Sequence, residues 1–246
     1  VNARNLGFAL IGFGLGLLFG FLLANSLGVR NALSIGQTPN TAQAPKGKSG
    51  ELTLSEEELR RAIARADAEP QDLELQRSLG RALYLYAAQT GDRQALAASV
   101  RLLRRAYEIG ATEYDDLIAL ANALFEEGRA MDRSQLTEAR AFYQRALERR
   151  ANDADAIARI GWTFYFERPP KLEQAIREFR RALSLNPKQE LALHGLTVAL
   201  ITAGDLDRAQ KALADLERAN EIYPALPDLR AYLEQKKNAG AAIAKP

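Results

Sequence analysis

Two stretches of this chain carry the same apolar pattern, their second halves offset by 34 residues, and that recurrence limits the possible folds more than composition does. Ile157, Ile160, Gly161 and Phe164 stand at the spacing of one face of a helix. Ala175, Phe179 and Ala182 follow on a second helix, which Pro187 closes. Leu193, Leu196, Thr197 and Leu200 then lead through Gly204 to Ala209, Leu213 and Leu216. Ala175 to Ala209, Phe179 to Leu213 and Ala182 to Leu216 are each 34 residues apart. A fixed period of this length marks helix pairs that cannot bury their apolar stripes alone and stack to do so.

Two further copies lie upstream. One has Leu117, Leu120, Ala121 and Leu124, then Ala139, Tyr143 and Ala146. The other has Gln76, Leu79, Gly80 and Leu83, then Ser99, Leu103 and Ala106, with Pro70 just before it. The step from one pair to the next is always 15 residues: Ala106 to Ala121, Ala146 to Gly161, Ala182 to Thr197. The step inside a pair varies: 26 residues from Gly80 to Ala106, 25 from Ala121 to Ala146, 21 from Gly161 to Ala182, 19 from Thr197 to Leu216. Packing between pairs keeps its register, while turns and helix ends inside each pair absorb the difference.

These spacings resemble the tetratricopeptide repeat, in which small residues let the two helices of each pair approach closely. The resemblance covers residues 54–237 and implies an all-α solenoid. Its expected parts are a capping helix at 54–69, four repeats at 70–226, and a second capping helix with a tail at 227–246. Ser55 and Glu58 have capping-box spacing at the start of the first cap. Pro227 to Lys237 reads as a polar closing helix, and the chain from Asn238 as a frayed end.

Ahead of the repeats, residues 5–29 carry no charge, and Leu6 to Ala24 is almost wholly apolar. Nineteen helical residues rise roughly 28 Å, enough to cross a bilayer core. Residues 1–30, bracketed by Arg4 and Arg30, are therefore expected to be a single transmembrane anchor in the cell membrane. A cleaved signal peptide ending near Ala24-Asn25-Ser26 is the rival, and the length of the apolar run argues against it. Gly12, Gly16 and Gly20 form a stripe suited to helix–helix association in the membrane, although glycine is common in such helices for blander reasons. Charge counting favours a cytoplasmic repeat domain, whereas analogy with anchored repeat proteins favours a periplasmic or extracytoplasmic one. Residues 31–53 read as a flexible linker. Within it, Gly47-Lys48-Ser49 lacks the first glycine of a phosphate loop, because Ala42 stands there.

No set of residues assembles an active site. There is no cysteine, and His194 is the only histidine, so neither a metal site nor a cofactor is expected and the chain is not read as an enzyme. Asp115-Asp116 and Glu126-Glu127 read as solvated. The second helices carry Arg101, Arg104 and Arg105; Arg145, Arg149 and Arg150; and Arg177, Arg180 and Arg181. Interleaved glutamates and a net charge of +2 make these solvated faces rather than a nucleic-acid surface.

The resemblance also implies a groove lined by the first helix of each repeat. Its expected lining includes Arg77, Arg81 and Tyr84, then Asn122 and Phe125, then Trp162 and Tyr165, then His194. Arg159 is added because it stands at a basic position of the carboxylate clamp found in some relatives. Arg77 fits that clamp too, but Arg81 and Ala119 replace its asparagines and Asp155 replaces a basic residue, so an amphipathic helix suits the groove better. Trp162, Phe125 and Tyr165 are expected to supply apolar contact, and Arg77, Arg81, Arg159 and Asn122 to orient the partner polypeptide. The whole reads as a membrane-tethered protein-binding scaffold. It is similar in architecture to the repeat subunits of cytochrome c maturation, with a structural subunit of a larger membrane complex as the alternative.

Overall fold

The computed structural model describes residues 56–243, with side chains through residue 239. Residues 1–30, including Gly12, Gly16 and Gly20, lie outside the described residues, as do the linker and Ser55. Among the described residues there are only helices and turns, and no helix is long and apolar enough to cross a membrane. The chain forms two compact units that divide after Ala111.

The first unit holds α1 (Glu56–Ala68), α2 (Leu73–Thr90) and α3 (Arg93–Glu108). Asp72 and Asp92 cap α2 and α3, their carboxylates accepting backbone N–H groups that a helix start leaves orphaned. Gly91, in the left-handed conformation that spares glycine a side-chain clash, makes the turn between them. Close approach of α2 and α3 occurs at Gly80, where an added Cβ would stand 2.8 Å from Leu103, and Ser99 donates to the Gly80 carbonyl at 2.7 Å. Gln76 is fully buried and donates to the Ala66 and Glu69 carbonyls, so it closes the end of α1. Arg101 and Arg105 pair with Asp67.

The second unit contains α4 (Tyr114–Ala130), α5 (Gln135–Arg149), α6 (Ala154–Phe166), α7 (Leu172–Leu185), α8 (Glu190–Ala203), α9 (Leu206–Ala219) and α10 (Leu226–Ile243). Helices α4 and α5, α6 and α7, and α8 and α9 form antiparallel pairs, and α10 packs on α8 and α9. Apart from Phe164, every apolar position of the repeat pattern in this unit is buried, from Leu117 to Leu216. The varying step inside each pair has two sources. In α2 and α4 the helix itself is longer, whereas α6 is short and is followed by the 167–171 loop.

Helix α10 runs from Leu226 to Ile243, and Leu226, Leu229 and Leu233 give it a buried apolar stripe at its base. Two expectations are corrected here. Asp116 is buried rather than solvated, in the first turn of α4, where an anion is favoured by the helix dipole. Phe164 is only half-buried, with the Arg140 guanidinium 3.7 Å from its ring centroid.

Candidate partner-binding face

The first helices of the second unit, α4, α6 and α8, lie side by side and present one common face. On it the aromatic residues form a continuous row. Phe125 meets Phe166 at 5.9 Å between ring centroids, Phe166 stacks on Trp162 at 5.4 Å, Trp162 meets His194 edge-on at 5.1 Å, and His194 meets Tyr223 at 5.7 Å. Tyr165 stands against both Trp162 and Phe166. Beside this row the hydroxyls of Tyr165 and Tyr232 each approach the Thr202 hydroxyl at 3.4 Å, joining α6, α8 and α10.

The row is possible because α8 is apolar on nearly every side. Between Glu190 and Ala203 it carries no other formal charge, and Leu191, His194, Val198 and Thr202 recur at helical spacing on the open face, all half-buried. Trp162 turns toward this helix and donates its indole N–H to the Leu191 carbonyl at 3.2 Å. Burial pushes the His194 imidazole below its ordinary value, and the ring nitrogen Nδ1 lies 3.1 Å from the Tyr223 hydroxyl. Burial and then the nearby Glu190 carboxylate push the Tyr223 hydroxyl upward.

The expected lining residues divide. Tyr165 and His194 are half-buried members of the row. Trp162 and Phe125, expected to supply apolar contact, are 8% and 7% exposed and offer a partner little surface of their own. Trp162 is held by Phe179 from below at 5.6 Å, so it serves as the floor and its neighbours supply the open surface. The sequence pattern assigns Trp162 no core role because the repeat does not demand a large residue there; the cause is tertiary, in the glycines that draw Phe179 inward. Asn122 accepts from the buried Tyr143 hydroxyl at 2.7 Å, which commits its carbonyl oxygen to the fold. Arg159 pairs with Asp155 at 2.7 Å on α6. Arg77, Arg81 and Tyr84 lie half-buried on α2 of the first unit, Arg77 pairing with Glu74 at 2.5 Å. Phe166, Thr202, Tyr223 and Tyr232 complete the face. Tyr223 and Tyr232 belong to the closing segment, which the repeat pattern does not reach.

Two arginines fix the edge of this face. Arg133 donates to the Phe166 carbonyl at 2.5 Å. Arg140 bonds Thr163 Oγ1 at 2.9 Å and pairs with Glu167, which also pairs with Lys171 at 2.6 Å. Burial alone would raise the Glu167 carboxyl, but hydrogen bonds from Lys171 and Arg140 outweigh it and hold the group below its ordinary value. Among the described residues no group of histidine and carboxylate side chains is arranged to hold a metal ion.

Residues 171–233 match the tetratricopeptide repeat family. Those residues, α7 to the base of α10, take the helix-pair fold of that repeat within the chain. Its repeats are similar to those of MamA, at 20% identity and a TM-score of 0.51 over 67% of this chain and 87% of that one. MamA from residue 41 onward of Desulfovibrio magneticus RS-1 gives 20% identity and a TM-score of 0.52, over 67% and 86%. YrrB, described as a tetratricopeptide-repeat protein with an unusual peptide-binding site, gives 19% and 0.53, over 74% and 84%. No curated protein sequence matches the chain significantly. At these identities the solved structures speak for the repeat fold, and the aromatic face has to be argued from its own geometry.

Proposed function

We propose that this chain is a membrane-tethered, non-enzymatic docking scaffold whose aromatic face on α4, α6 and α8 receives an amphipathic helix of a partner polypeptide. The observation that carries this is the row of half-buried Phe166, His194 and Tyr223 over the buried Trp162, with half-buried Tyr165 at its flank. Half-buried rings backed by a packed core are preorganised, so a partner gains apolar burial without the chain losing much side-chain entropy. The peptide-binding site ascribed to YrrB supports the use of such repeats for polypeptides.

A helical partner fits better than an extended one. The indole N–H is committed to Leu191, the imidazole Nδ1 to Tyr223, and Thr202 donates to the Val198 carbonyl at 2.8 Å. An extended segment brings backbone groups that need partners from the groove, whereas a helix arrives with its own satisfied. The charge-free run at residues 5–29 supports the tether, which confines the face to clients near a bilayer and raises their effective concentration. A role in assembly or chaperoning, as in cytochrome c biogenesis, follows from that architecture. The cell membrane is the location it implies, with the repeats on the extracytoplasmic side.

The test is selection of helical peptides from a display library on the purified full chain, followed by affinity measurement on variants. Tyr165→Ala and Tyr232→Ala should each weaken the selected peptides at least about tenfold, a loss on the scale of one interface hot spot. Arg145→Ala, on a second helix, should leave them unchanged. Peptides indifferent to both tyrosines would place the binding elsewhere. Stoichiometric co-purification with a membrane complex in mild detergent would favour an accessory subunit instead.

A further inference from the structure

We propose that His194 makes this face acid-sensitive: protonation sets a charge between Trp162 and Tyr223 and expels an apolar helix lying over them. The inference rests on the partner reading above and adds a regulation to it. His194 occupies the middle of the row, edge-on to Trp162 at 5.1 Å and to Tyr223 at 5.7 Å, with Nδ1 3.1 Å from the Tyr223 hydroxyl. It is the only histidine in the chain, so no other side chain ordinarily changes charge in the same pH range.

The surroundings do little to stabilise an imidazolium. On α8 the only formal charge is Glu190, one turn back. On α6 the charged residues are Asp155 and Arg159, which are paired with each other. Helices α7 and α9 bury only apolar residues, Phe179 and Leu213 among them. The α9–α10 turn presents Tyr223, and α10 presents Tyr232. Burial is accordingly what moves the imidazole, and it moves it downward. The flanking rings would attract a cation and offset part of the cost. That attraction is available before binding, whereas a partner helix removes the water that would solvate the charge. Proton binding and helix binding therefore oppose one another.

The sign follows from linkage. Covering His194 depresses it further, so affinity is full above its free-state value and declines as pH falls through it. One titrating group allows at most about a tenfold loss of affinity per pH unit.

The chain carries its own reporter, because Trp162 is the only tryptophan. Full-chain fluorescence titrated from pH 7.5 to 4.5, with circular dichroism to confirm folding, should show one transition centred below the ordinary 6.5. His194→Gln, which keeps a hydrogen-bonding group without titrating, should abolish it. The affinity of a display-selected helical peptide should fall in the same pH range for the natural chain and stay flat for His194→Gln. A titration that persists in His194→Gln, or is absent from the folded natural chain, overturns the inference. Peptide affinity that ignores pH overturns it while leaving the partner reading intact. Failure to select any helical peptide at either end of the range defeats both, and the fluorescence titration, which needs no partner, shows whether His194 still titrates.

Discussion

The ring of Phe179 on α7 lies directly against the backbone of Gly195 on α8, and an added Cβ there would fall inside its van der Waals surface. The same ring meets Gly161 on α6, where a Cβ would stand 2.6 Å away. Phe179 is fully buried, so it has no room to yield. Two glycines from successive first helices thus clasp one ring of the intervening second helix. This clasp draws three helices together and sets the floor beneath Trp162.

Gly195→Ala should therefore destabilise the chain by about 1–2 kcal/mol, because an overpacking cost of about 2–3 kcal/mol outweighs the roughly 1 kcal/mol that alanine gains over glycine in a helix. Chemical denaturation of the full chain measures it. In the background of Phe179→Leu the same substitution should cost much less, a non-additivity expected only of residues in direct contact.

Much of this was legible in advance. The fixed 15-residue step named Ala106, Ala121, Ala146, Gly161, Ala182 and Thr197 as packing positions, and all lie at close helix crossings or are buried. Gly195 was not named, since the pattern puts no small residue there and only the position of Phe179 demands one. Trp162 is buried where the pattern offers it to the groove, because a helical period gives direction and not depth. Tyr223 and Tyr232 were missed because a turn and a cap follow no repeat. Chain spacing specified the scaffold, and the site depended on contacts made between repeats.

Trp162→Ala removes the floor of the aromatic row as well as an apolar group. Loss of its contacts with Phe166, Phe179 and His194 should cost about 3–5 kcal/mol, the usual scale for truncating a large buried ring. A thermal melt would register a marked fall in Tm. Reduced partner binding by this variant would then reflect both folding and contact, which is why Tyr165 and Tyr232 are the cleaner probes of the face.

Asp153 has two tasks at the start of α6. Its Oδ1 accepts from the Asp155 and Ala156 backbone N–H groups at 2.8 and 3.0 Å, and its other oxygen accepts from the Tyr114 hydroxyl. Burial, and then that bond to a carboxylate, push the tyrosine hydroxyl well above its ordinary value. Asp153→Ala should cost about 1–2 kcal/mol through the lost cap. Tyr114→Phe should cost about 1 kcal/mol, as one hydrogen bond does. Asn in place of Asp153 should recover most of the cap, and equilibrium unfolding of the three variants would separate the two tasks.

The Arg140–Glu167 pair makes a prediction with a pH signature. Both side chains are mostly covered, 12% and 15% exposed, and Arg140 also holds Thr163 and the face of Phe164. Arg140→Ala should cost about 3 kcal/mol, near the lower end for breaking a buried pair, because Lys171 still attends the carboxylate. The Glu167 carboxyl is held below its ordinary 4.5 when folded, so its contribution is complete above that value. It is lost as pH falls through the lowered folded value, since the unfolded chain takes up the proton first. Glu167→Gln should be less stable than the natural chain at neutral pH and should flatten the acid limb of the stability curve below pH 4.5. An unchanged acid limb in Glu167→Gln would show that other carboxylates govern acid unfolding.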